Sequence, residues 1–147
     1  NMSRLTVNEA GTSGYTDEVI LTPGDFTTAA GNTTTVVNFP VKAGDLIDAV
    51  ALQVTEAFSV SSNITIGPDG TARSAGADAD GFIEADNANA TGLSVNTGDL
   101  LDDGGGASEN RFKADADGNI TITAASALDV STSGKMRVLF SVKRVDF

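Results

Sequence analysis

Apolar and polar residues alternate with period two along the two longest patterned stretches of the chain. In "GDLIDAVALQVTEAF" (44–58) Val50, Leu52 and Val54 share one parity, Gln53 and Thr55 take the other, and Ala49 and Ala51 keep that second face small. In "KMRVLFSVKRV" (135–145) Met136, Val138, Phe140 and Val142 alternate with Arg137, Ser141 and Lys143, and Leu139 is the apolar residue on the polar face. Successive side chains of a strand point to opposite faces, so both stretches predict half-buried strands. Shorter runs predict more: "RLTV" from Arg4, "DEVILT" from Asp17, "TTVVNF" from Thr34, "NITIG" from Asn63, "NRFKA" from Asn110 and "NITIT" from Asn119. Turn signals such as "TPGD", "AAGN", "KAGD" and "GPDG" separate several of them. Short strands punctuated in this way predict an all-β sandwich or barrel, of which the antiparallel β-sandwich is the reading adopted. No stretch carries an apolar stripe of helical period over four turns, and a helical turn is expected only around 24–30.

Residues 67–109 differ in kind. Gly, Ala, Asp, Asn and Ser dominate there, and the large apolar residues are Phe82, Ile83, Leu93, Val95, Leu100 and Leu101. This predicts a Gly/Ala/Asp-rich excursion from the sandwich, part short strand and part surface loop, with "DDGGGASE" (102–109) as its most flexible piece. So few large apolar residues cannot make a core, so residues 1–147 read as a single β-sandwich domain. "VKAGDLID" (41–48) and "VNTGDLLD" (95–102) echo one another and predict two equivalent corners, each a strand end, a Gly-Asp turn and a strand start.

Composition narrows the chemistry. A chain of 147 residues can build a core without metal or disulfides. It contains no Cys and no His, which removes thiol nucleophiles, imidazole bases, Ser-His-Asp triads and nearly all zinc sites. Nine basic against twenty acidic residues give a net charge of -11, which repels a phosphate backbone, so no nucleic-acid partner is expected. Asp outnumbers Glu, and Asp prefers turns and caps. The start "NMSRLTVNEAG" has no apolar signal region and no apolar run approaches the roughly 20 residues of a membrane span, so the chain reads as soluble, without a secretion signal or membrane contact. The N-x-T triplets at Asn32, Asn63, Asn89 and Asn119 are what a chain rich in Asn and Thr produces by chance.

The segment "ADADG" occurs at 77–81 and again at 114–118, where Asp115, Asp117 and Asn119 are the metal candidates. A calcium loop of the EF-hand kind wants oxygen ligands at positions 1, 3 and 5, Gly at 6 and Glu at 12. Counting from Asp115 puts Ile120 in the Gly position and Ser126 in the Glu position; the copy from Asp78 puts Phe82 at 5 and Asn89 at 12. The favoured alternative is a hairpin joining "RFKA" to "ITIT", with Asp117-Gly118 supplying a left-handed turn and Asp69-Gly70 repeating the device. No cofactor is expected. Turn aspartates are normally solvated, so a glycosidase is not indicated. "DDGGGASE" lacks the Lys and spacing of a phosphate loop. A carbohydrate-binding module would want exposed aromatics, and with no Trp and one Tyr the loop candidate is Phe82; Phe39, Phe58, Phe112 and Phe140 fit core positions.

Charge is also uneven. Residues 135–147 hold Lys135, Arg137, Lys143 and Arg144 against Asp146, a net of +3, which leaves -14 for residues 1–134 out of the total of -11. These four basic residues are the candidates for contact with an acidic partner. The competing reading is that they pair with carboxylates of their own sheet or guard an edge.

The run "VKAGDLIDAVALQVTEAF" followed by "NITIGPDG", about residues 41–70, resembles small β-sandwich structural proteins of tailed bacteriophages, including capsid decoration (cement) proteins. The resemblance implies a jelly-roll-like sandwich, a homo-oligomer with a trimer favoured, and attachment to the protein shell on the capsid exterior. It carries no catalytic or ligand residues, and the chain is expected not to be an enzyme. The alternative is a receptor- or carbohydrate-binding sandwich domain of a tail or fibre protein.

Overall fold

The structure, a computed structural model, describes residues 14–28, 34–101 and 111–144, together with the backbone of 3–6. Its strands are β1 (Ser3–Thr6), β2 (Asp17–Leu21), β3 (Thr27–Thr28), β4 (Thr35–Val41), β5 (Leu46–Glu56), β6 (Asn63–Pro68), β7 (Ile83–Asn87), β8 (Gly92–Val95), β9 (Phe112–Lys113), β10 (Gly118–Ala124) and β11 (Lys135–Lys143). Two short 3₁₀ turns, Pro23–Asp25 and Leu128–Val130, are the helical elements among the described residues. The turn expected around 24–30 therefore ends at Asp25, where the Asp25 carboxylate accepts the Thr22 N–H at 2.8 Å, and the chain enters β3.

All pairings are antiparallel and form two sheets. One runs β1-β2-β11-β5-β8, with β9 also on β5; the other runs β3-β4-β10-β6-β7. Setting aside β1, β3 and β9, the remaining strands nest as pairs: β2 with β11, β4 with β10, β5 with β8, and β6 with β7. First pairs with last, second with second-last, and so inward, which is the rolled-up long hairpin of a jelly roll.

The period-two pattern explains which faces are buried. Val50, Leu52 and Val54 of β5 and Met136, Val138, Phe140 and Val142 of β11 point into one cluster with Phe39 and Val41 of β4 and Ile120 and Ile122 of β10. Phe39 and Phe140 stack between the sheets with ring centroids 4.1 Å apart. Phe26 with Phe58, and Phe82 with Phe112, make edge contacts nearer the ends. Each fully buried ring contributes roughly 1.5–3 kcal/mol relative to exposure. Pro40 lies on β4 beyond the two residues that β3 covers, where a missing N–H leaves no ladder bond unmade on that side.

The 67–109 stretch returns to the sandwich twice. It leaves as loop after Pro68, comes back as β7 on the edge of one sheet, and crosses to β8 on the edge of the other. Phe82, expected as a loop aromatic, is fully buried against Phe112, because it directly precedes β7 and its N–H bonds the Ile66 carbonyl. The piece 102–109 lies outside the described residues.

The two echoing corners are not equivalent. The first turns through Gly44 at φ 91 from β4 into β5. In the second, Asn96 takes the left-handed conformation at φ 50, residues 97–101 form no strand, and Leu101 is buried in a turn. Gly98 is needed there for space: a Cβ would stand 2.3 Å from the Asp80 carbonyl oxygen.

Candidate functional site

The acidic loops hold the metal candidates Asp115, Asp117 and Asn119. β9 belongs to the sheet with β5 and β10 to the other sheet, so Ala114 to Asp117 is a crossing between sheets, not a hairpin turn. Gly118 is the first residue of β10 and does not have positive φ, and neither does Gly70, which corrects both left-handed turns expected from the sequence. The reason lies in distant chain. The crossing is held by Ala114 N–H to the Asp45 carbonyl at 2.9 Å and Asp115 N–H to the Ala72 carbonyl at 2.8 Å.

The three metal candidates are sent to three different partners. The Asp115 carboxylate accepts the Ser74 N–H and hydroxyl, both at 2.8 Å, and these bonds hold its carboxyl below the usual range. Asp117 accepts the Ala43 N–H at 2.9 Å. Asn119 donates its N–H at 3.2 Å to Asp69. Asp69 also accepts the N–H groups of Thr71 and Ala72 at 3.0 and 2.8 Å. Partial burial works against the Asp69 charge, but these donors outweigh it and lower its pKa. Among the described residues no group of three or more acidic side chains is placed to hold a metal ion. In the other copy, burial and then the neighbouring Asp80 push the Asp78 carboxyl up.

The basic row of β11 is engaged with its own sheet. Arg137 Nε lies 3.0 Å from Glu18 on β2, in a buried ion pair whose N–H is not aimed along a hydrogen bond. Arg144 makes a two-pronged contact with Asp17 at 2.8 and 3.1 Å, which strengthens its hold on its proton. Lys143 pairs with Asp48. The β5–β11 register shifts between Ser141 and Val142, leaving Asp48 as the extra residue of a bulge beside Lys143. Partial burial opposes the Asp48 charge, yet the hydrogen bonds from Lys143 and Ser141 prevail and lower its pKa. Lys135 is exposed and makes no ion pair among the described residues.

The same sheet carries apolar side chains on its outer face. Register places Ala51 opposite Leu139 of β11 on one side and Val95 of β8 on the other; one step along, Gln53 stands between Arg137 and Leu93. Ala51 and Leu139 are buried under Tyr15, outside the main core, in a small cluster of their own. Burial raises the Tyr15 pKa. Leu93 and Val95 are left 61% and 44% exposed, and with Val130 they are the exposed large apolar residues among those described. The sequence held the signal, two apolar residues flanking Ser94 with no charge on the strand. What it could not show is that none of the described residues covers them.

This outer face therefore combines the compensated charges of Arg137 and Lys143 with exposed apolar area at Leu93 and Val95, on a chain of net charge -11. No protein-family model matches the chain, and no curated protein or solved structure does.

Proposed function

We propose that the chain is a structural virion protein, a capsid decoration (cement) protein of a tailed bacteriophage that binds the exterior of the shell as a homo-oligomer. Its mechanism is burial of protein surface across subunit junctions, with no chemical step. The observation that carries this reading is the outer face of the β1-β2-β11-β5-β8 sheet. There Leu93 and Val95 lie exposed beside the Tyr15, Ala51 and Leu139 cluster, while Arg137 and Lys143 are balanced by Glu18 and Asp48. Apolar and aromatic enrichment distinguishes the centre of a protein contact from ordinary surface, and the Arg137 and Lys143 charges of this face are compensated within the sheet. The rolled sandwich supports it as a rigid platform, and the resemblance of residues 41–70 supplies the virion context.

The test is co-sedimentation with the phage's own shells after accessory proteins have been stripped. Saturable pelleting is expected, and it should weaken when Leu93 and Val95 are both replaced by Ser. A chain that stays in the supernatant at every concentration, and instead binds on a glycan array, would replace this reading with the carbohydrate-binding one. The burial of Phe82 removes the aromatic that the latter would have used.

A further inference from the structure

We propose that β8 is a self-pairing edge: two copies of the chain join their β8 strands antiparallel about a two-fold axis through Ser94. A sheet edge presents unpaired N–H and C=O groups, and proteins normally guard such edges with charge, Pro or extreme shortness. The other described edges follow that rule. β7 carries Glu84 and Asp86, β9 has two residues with Lys113, β3 has two residues, and the part of β4 that β3 leaves uncovered contains Pro40. β1 carries Arg4. β8, "GLSV", has none of these protections.

The backbone geometry decides what fits. Asn96 donates its N–H to the Val50 carbonyl at 3.0 Å, and the Val50 N–H donates to Asn96 Oδ1 at 2.8 Å, so this position is a hydrogen-bonded pair with a side chain standing in for one carbonyl. Bonded and non-bonded pairs alternate along an antiparallel ladder. Leu52 with Ser94 is then the next bonded pair, and the non-bonded residues Leu93 and Val95 turn their N–H and C=O groups away from β5 to the free edge. A second copy centred on Ser94 sets Leu93 opposite Val95 of that copy, and Val95 opposite its Leu93. Both are outward-pointing residues, so each pair exchanges two backbone bonds. The same register brings the exposed Leu93 and Val95 side chains into cross-strand contact at about 5.5 Å, on one face. The strand is thus complementary to itself in both backbone and side chains, and the occupant it fits is another copy of this chain. Like charge opposes the union, since each copy carries -11, so the association should strengthen with salt.

The proposal deepens the self-association in the functional reading and is tested without any shell. Light scattering across concentration should show a dimer, more populated at about 0.5 M than at about 0.02 M NaCl, where screening is weak. Leu93→Lys, at an exposed position, should return it to monomer, with an unfolding midpoint equal to that of wild type at concentrations where wild type is itself monomeric. The chain has no Cys, so Ser94→Cys introduces a single thiol. Across the axis the two Cα atoms would stand about 4.5 Å apart, within disulfide reach, and mild oxidation should link most of the protein as dimer. Asn38→Cys, exposed on the opposite sheet, should not link. A wild-type monomer at all concentrations, a trimer, a dimer unaffected by Leu93→Lys, or a Ser94→Cys protein that does not cross-link would each overturn the inference. A monomer that still pellets with shells would leave shell binding standing and remove the self-association, and a dimer that does not pellet would do the reverse.

Discussion

Gly118 lies against the backbone of Ala72, so that a Cβ added to it would stand 2.5 Å from the Ala72 nitrogen and 2.9 Å from Asp69 Oδ1. The glycine is required by space, not by backbone conformation. Asn visits left-handed backbone readily, so a left-handed turn would tolerate Gly118→Asn, whereas a close approach does not. We expect Gly118→Asn to cost about 1–3 kcal/mol, the range for forcing atoms into a filled site, and Asp115→Ala to cost less. Urea unfolding measures both; an undiminished midpoint for Gly118→Asn would refute the steric account.

Asp69 gathers the N–H groups of Thr71, Ala72 and Asn119 onto one carboxylate, tying the loop after β6 to the start of β10. Asp69→Ala should cost about 1–2 kcal/mol at neutral pH, as loss of a capping carboxylate does. Its pKa is lowered in the folded chain. The stability it contributes is therefore present above its unfolded value of about 3.9 and is lost as pH falls through the lower folded value. The gap between wild type and variant should close in acid, and a gap that persists at about pH 2 would count against the charge.

Asp78 has the opposite sign. Its pKa is raised by burial and by Asp80, so the folded chain holds that proton more tightly and loses stability as pH rises through the window above about 3.9. Asp78→Asn removes the repulsion and should raise the thermal midpoint at pH 7. The gain should vanish near pH 3, where the carboxyl is protonated in both states. A variant less stable than wild type at pH 7 would contradict this.

Glu18 and Arg137 form a pair in which Glu18 is almost fully buried. Arg137→Met strands that carboxylate and should cost about 3 kcal/mol; adding Glu18→Leu should restore most of it, because an apolar pair can replace a buried ion pair. A double variant no more stable than the single one would show that the pair is not coupled. Reversing charge at Arg137 would damage the fold as well as any contact, so the basic row is better probed at Lys135, whose replacement by Glu should leave the midpoint unchanged.

The sequence by itself determined the all-β class, the extent of the long strands and most of the core. Val50, Leu52, Val54, Met136, Val138 and Phe140 are inside because alternation assigns side chains to faces whatever the neighbouring strand. Alternation does not say which strand lies alongside. That "RFKA" and "ITIT" belong to different sheets, and so cannot be a hairpin, depended on pairings with β5, β4 and β6 far along the chain. The same is true of Gly118, whose constraint comes from Ala72, and of Asp48, which meets Lys143 only because a bulge shifts the register. Leu93 and Val95 read as ordinary strand residues in one dimension. They became a candidate contact when the order of the sheet put β8 last, where no other described strand pairs with its outer side and the Leu93 and Val95 side chains stand exposed.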